Sequence, residues 1–201
     1  MREKIIHKAC ELFLQLGFKS VTMDDLAESL GISKKTIYSH FSNKTDLVEA
    51  CTGHLFETIS QGIDCICREG LNPIEELYEI KKYAMLHLKN EKSSPQYQLK
   101  KYYPRVHASL KQKQYDMMQS CVLVNINRGM ELGIYRPNLN PEFVSRIYFT
   151  GVTALKDDSL FPRDSFPMFS LMDQYLEYHL RGIVTLKGRK ILNAIINSNL
   201  E

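Results

Sequence analysis

The sequence predicts an all-α protein: an N-terminal helix-turn-helix head of three helices over residues 1–46, and a helical body over residues 47–201. Three observations predict it. Apolar residues recur at three- and four-residue spacing along most of the chain, the signature of amphipathic helices. No segment alternates apolar and polar residues long enough to build a sheet, and no internal repeat occurs. Residues 22–44 spell two short helices joined by a tight turn, with a third helix starting behind them.

The first helix runs over residues 2–16, where Ile5, Ile6, Ala9, Leu12, Phe13 and Leu16 share one face. Gly17 stops it, with Phe18 supplying the apolar contact that accompanies such a stop. Thr22 and Asp25 have capping-box spacing for the second helix, in which Leu26, Leu30 and the small Ala27 face inward. Gly31 supplies the positive φ of the turn, Ser33 caps the third helix, and Ile32 and Ile37 complete the inward set.

Asn43, with Asp46 three residues on, caps a long helix whose stripe of Leu47, Cys51, Leu55, Ile59, Ile63 and Ile66 ends at Gly70. Asn72-Pro73 opens the next helix, which runs to Asn90 and is followed by a loop from Glu91 to Pro95. A short helix over Tyr97–Tyr103 ends at Pro104, and a long one spans about Arg105 to Leu132, stopped by Gly133. Asn140-Pro141 restarts the chain as a helix to about Leu155, and Lys156 to Pro167 reads as a loop. From Met168 a helix carries an apolar band so wide that it needs two partners, its own subunit and a second copy. Gly182 lets helices approach closely there, Lys187-Gly188 ends this helix, and a last one covers Arg189 to Asn197.

The composition, 44% hydrophobic with 24% charged residues, is that of an ordinary soluble chain. No run reaches the ~20 apolar residues needed to span a bilayer, and Met1-Arg2-Glu3-Lys4 lacks the apolar core of a signal peptide, so a cytoplasmic protein without a membrane partner is expected. Net charge is only +3, and the cations of residues 1–50 are matched by acids in the flanking helices. What is distinctive is distribution: residues 33–44 carry Lys34, Lys35 and Lys44 and no acid. Five cysteines, an odd number without an export signal, read as reduced thiols, and Cys65-Ile66-Cys67 as packing residues, because neighbours two apart on a helix point to different sides. Neither a metal nor a cofactor is expected.

The exposed face left by this pattern carries Lys34, Lys35, Thr36, Tyr38, Ser39 and His40 on the helix that enters the major groove in helix-turn-helix proteins. Here the chain resembles the TetR-type transcriptional regulators: Thr22, Gly31, Tyr38, Phe41 and Lys44 match their Thr-led helix, Gly turn, Tyr-x-x-Phe and following Lys. Lys35 stands where many members carry Gly or Pro. The resemblance implies that Tyr38, His40 and Lys44 contact phosphates of a double-stranded operator, while Lys34, Lys35, Thr36 and Ser39 lie toward base edges. Lysine suits guanine N7 and O6, and equally a phosphate.

The same resemblance implies a homodimeric repressor whose body binds a small-molecule inducer. For that site the sequence offers Tyr102, His107, Met118, Asn125 and Tyr148, a mixture of adaptable apolar walls and a few polar groups. The dimer is expected from the helices at about 141–155 and 168–187, with Leu180 and Ile183 on the partner face. An enzyme is not expected: no Gly-rich phosphate loop, His-x-x-x-His pair or nucleophile elbow appears. A protein of this fold that binds DNA or a protein partner without answering to a ligand remains the alternative.

Overall fold

The computed structural model describes residues 1–88, 95–162 and 164–198. Helix α1 (Arg2–Leu16) turns Ile5, Ile6, Ala9 and Phe13 inward and ends at Gly17, whose φ of 87° lies in the region only glycine adopts freely. Behind it, Phe18 packs on Phe13 with ring centroids 5.1 Å apart. Helices α2 (Met23–Leu30) and α3 (Lys34–Tyr38) follow, then the long α4 (Lys44–Arg68), α5 (Pro73–Leu88), α6 (Pro95–Tyr102), α7 (Pro104–Glu131), α8 (Pro141–Ala154), α9 (Met168–Ile183) and α10 (Leu186–Ser198). Asn43, Asn72 and Asn140 cap α4, α5 and α8 as their spacing predicts, each side-chain oxygen accepting from a first-turn amide. Of the predicted loop from Glu91 to Pro95, only Pro95 is described, and it opens α6; Asn90 and Arg163 also lie outside the described residues.

The chain divides into two compact units, residues 1–61 with 86–114, and residues 62–85 with 115–201. The boundary expected at 46/47 falls inside the first. Leu47, Val48 and Cys51 from α4, and Leu99 and Val106 from α6 and α7, are buried in one core with Ile5, Phe13, Leu26 and Ile37. A three-helix head is too small to enclose its own apolar residues, and these helices complete it.

In the second unit, Ile74, Leu77, Val122, Ile126, Tyr135, Val144, Tyr148, Leu176, Leu180 and Leu192 form the core. The end of α9 departs from expectation. The helix stops at Ile183, because Val184 is extended and bridges antiparallel to Tyr135. Thr185 then caps α10: its hydroxyl donates to the carbonyl of Gly133 and accepts from the amide of Gly188. Gly188 therefore sits within α10, not at a helix end, where a Cβ would lie 2.3 Å from the Ile134 carbonyl oxygen. Leu180 and Ile183, expected on the partner face, depart from expectation as well. Both are buried within their own unit, while Phe143 and Ile147 on α8 and Phe169 and Tyr178 on α9 are exposed.

Candidate nucleic-acid interface

The turn between α2 and α3 is held at both ends by its own sequence. The Thr22 amide donates to Asp25 Oδ2 at 2.8 Å and the Asp25 amide to Thr22 Oγ1 at 3.1 Å, a complete capping box. The same bonds hold the Asp25 carboxyl below its ordinary pKa, since they favour the charged form. Gly31, at φ 63° and ψ 32°, takes the left-handed conformation, and the Ile32 amide reaches back to the Ala27 carbonyl at 3.0 Å. Ser33 Oγ then accepts from the Thr36 amide at 3.1 Å and meets the Thr36 hydroxyl at 2.8 Å. With Ile37 buried beneath, the rotation of α3 is fixed.

That rotation leaves Lys34, Lys35, Tyr38, Ser39 and His40 exposed, and Thr36 half-buried. Tyr38 is 44% exposed, so it belongs to the surface and not the core. Lys34 rests against Asp24 at 2.7 Å, an exposed and solvent-screened pair that a stronger acceptor displaces at little cost. Ser39 Oγ donates to the Thr36 carbonyl at 2.7 Å, ending the helix.

Lys44 opens α4 beside this face. Its ammonium lies 5.9 Å from the centroid of Phe13 and donates to the Lys19 carbonyl at 3.4 Å. Burial lowers its pKa and the nearby Asp25 carboxylate opposes that shift. The aliphatic stem thus lies on the head core while the charge stays at the surface.

The five residues expected around a ligand are not gathered in one unit. Tyr102 and His107 belong to the first unit; Met118, Asn125 and Tyr148 belong to the second. Tyr102 is on the surface, 39% exposed, with the ammonium groups of Lys19 and Lys101 at 5.2 Å and 5.4 Å from its ring centroid. His107 is half-buried, and burial with Lys111 and Lys100 nearby lowers its pKa. Asn125 is wholly buried and structurally engaged: its amide nitrogen donates to Glu76 Oε1 at 2.7 Å and to the Pro73 carbonyl at 2.9 Å, and its oxygen accepts from the Tyr135 hydroxyl at 3.0 Å.

Tyr148 is different. It is buried, and among the described residues its hydroxyl has no hydrogen-bond partner. His179, which the sequence shows only as part of an apolar band, sits with ring centroids 4.9 Å apart from Tyr148, and burial lowers its pKa to about 4. Tyr175 stacks on Tyr148 at 5.8 Å, admitted by Gly151, where a Cβ would meet the Tyr175 hydroxyl. Among the described residues no group of three or more His, Cys, Asp or Glu is arranged to hold a metal, and no helix is long and apolar enough to cross a membrane.

Residues 5–51 match the family model for bacterial regulatory proteins of the tetR family. The chain is 32% identical over 79 residues to IcaR of Staphylococcus aureus (strain Newman), the negative transcriptional regulator of the biofilm operon icaADBC; the match covers 39% of this chain and 42% of that protein. It is 37% identical over 81 residues to the transcriptional regulator YvaF of Bacillus subtilis (strain 168), covering 40% of this chain and 42% of YvaF. The chain thus spans less than half the length of these curated relatives. A transcriptional regulator from Saccharomonospora viridis, solved in complex with choline, shares the fold with a TM-score of 0.77 at 18% identity, over 92% of this chain and 97% of that one.

Proposed function

We propose that this chain, whose head belongs to the tetR family of bacterial regulatory proteins, acts in the cytoplasm as a homodimeric, sequence-specific DNA-binding regulator, a repressor that a small-molecule ligand releases from its operator. The observation that carries the reading is the exposed row of Lys34, Lys35, Tyr38, Ser39 and His40 on a helix whose rotation two caps and Gly31 determine. In this reading Tyr38, His40 and Lys44 hold phosphates. Lys34, Lys35, Thr36 and Ser39 face base edges, and Lys34 exchanges Asp24 for an acceptor on the DNA.

One head binds weakly, and two on a two-fold axis read successive major grooves about 34–36 Å apart on a pseudo-palindrome. The exposed residues Phe143 and Ile147 of α8 and Tyr178 of α9, with the open space above Gly182, supply the apolar surface a second copy covers. For the ligand, Tyr148 and His179 in the second unit are favoured, since both are buried and neither side chain hydrogen-bonds to a described residue. Met118, which packs against the same core, is retained as wall. That a protein of this fold was solved with choline supports a body able to hold a small molecule.

The experiment selects genomic fragments on the full-length protein, sequences those retained, and measures variants on them. Lys44→Ala and Tyr38→Phe should weaken binding to all sequences alike, whereas substitutions of Lys34 or Lys35 should change the preferred bases. Removing the Lys44 charge should also flatten the slope of log affinity against log salt by ~0.9 per head. Unchanged affinity in both of the first two variants would sink the assignment.

A further inference from the structure

The segment from Pro95 to Gln114 contains Lys100, Lys101, Arg105, Lys111 and Lys113 and not one Asp or Glu. All five cations are exposed, and none has an ion-pair partner among the described residues. In the sequence this stretch reads only as a source of ligand residues. The structure gives it another position, because α6 and the start of α7 belong to the same compact unit as the helix-turn-helix.

The attachment is specific. Gln98 of α6 accepts from the Lys19 amide at 3.0 Å and lies over Gly17, where a Cβ would come within 2.4 Å of its side chain. Leu99 and Val106 are buried in the head core, and Tyr103 packs edge-on against Phe18 at 6.3 Å. From Lys44 outward, one group then follows another. Lys44 Nζ donates to the Lys19 carbonyl, the Lys19 ammonium lies over Tyr102, and the Lys101 ammonium lies over Tyr102 and Tyr97, 5.4 Å from each ring centroid. Lys101 Nζ also donates to the Tyr97 hydroxyl at 3.2 Å.

From this juxtaposition we infer that Lys19, Lys100 and Lys101, with the Tyr97 and Tyr102 hydroxyls, form an accessory site for DNA phosphates that continues outward from Lys44 along the operator's flank. The inference rests on the proposed function. A rigid cationic strip with short hydroxyl donors suits a polyanionic backbone, and the rings limit how far the lysine stems can wander, so less freedom is lost on binding. Phosphates look alike in every sequence, so the strip adds affinity and footprint without adding base preference.

The test uses the full-length protein and a selected duplex in two lengths, one trimmed to the major-groove half-sites and one carrying about ten further base pairs, one helical turn, on each side. Wild-type protein should bind the longer duplex at least tenfold more tightly at low salt, with a steeper salt slope. The variant Lys19→Gln/Lys100→Gln/Lys101→Gln should bind both lengths alike, its slope on the longer duplex flatter by about 0.9 for each phosphate it no longer neutralises. The arginine triple variant should keep the wild-type length dependence. All three positions are exposed, and circular dichroism checks that the variants remain folded. A glutamine variant with the wild-type slope and length dependence overturns the strip and leaves the helix-turn-helix reading standing. Wild-type protein that retains no duplex, or whose affinity neither Lys44→Ala nor Tyr38→Phe changes, overturns both.

Discussion

Replacing Asn125 by Leu should destabilise the protein by about 4 kcal/mol, since it keeps the branched skeleton of the side chain but removes both of its polar atoms. The substitution removes an amide that is wholly buried and bonded to three partners. Glu76, itself buried, keeps the Arg128 guanidinium at 2.6 Å but loses a second donor, and the Tyr135 hydroxyl is left with no acceptor. A neutral group stranded in the interior costs about 1–3 kcal/mol, and the donor lost at the buried Glu76 carboxylate adds a charged hydrogen bond worth about 1.5–3 kcal/mol, which together set the magnitude. Stability typically totals about 5–15 kcal/mol, so the loss is a large part of it.

The assay is urea denaturation followed by circular dichroism at neutral pH, because the chain has no Trp to report by fluorescence. Tyr148→Phe is the comparison: its hydroxyl bonds to nothing among the described residues, so it should cost less than about 1 kcal/mol. If Asn125→Leu also fell within about 1 kcal/mol of wild type, the network would not be holding the body together. Asn125 would then be available for the ligand contact its sequence position suggests.

Three further outcomes follow from burial. His179, held at a pKa of about 4 against an ordinary 6.5, is neutral when folded. Between those values the unfolded chain binds a proton the folded one refuses, so stability falls as pH falls from about 6.5 to 4, by up to about 3 kcal/mol. The comparison with His179→Phe isolates this from carboxylate titration, and parallel profiles for the two proteins would refute it. Phe143→Arg with Tyr178→Arg should leave helicity intact and shift sedimentation to the monomer, because both residues are exposed, whereas Leu180→Arg should prevent folding. Micromolar wild-type protein that already sediments as a monomer would refute the dimer. Finally, a ligand found by thermal shift should bind more weakly when operator is present, by the same factor by which it weakens operator binding, typically about 5- to 150-fold, and Tyr148→Phe should reduce that binding.

The head is legible in the sequence because its constraints are local. A cap, a glycine turn and a short inward set lie within a few residues of one another, so Thr22, Asp25, Gly31, Ser33 and Ile37 can be placed without knowing what lies across the fold. What completes the head is not legible: Gln98, Leu99 and Val106 are distant in sequence, and only a folded chain shows that Gly17 makes room for Gln98 as well as stopping a helix. The turn after α9 fails for a similar reason. Lys-Gly looks like a helix end, but Thr185 is the local signal for a start, and its hydroxyl is satisfied by Gly133, far back in the chain.

In the body, residue type alone does not separate structural polar groups from available ones. Asn125 and Tyr148 both look like groups able to orient a ligand, and both are buried. The difference lies in their partners. The amide nitrogen and oxygen of the Asn125 side chain are both engaged across the fold, by α5 and by Tyr135, whereas Tyr148 and His179 face each other with polar atoms unpaired among the described residues. A hydroxyl or imidazole that bonds to no protein group can take up an incoming ligand group without giving up a partner. A saturated group has nothing left to offer, and so the search for the inducer belongs at Tyr148 and His179.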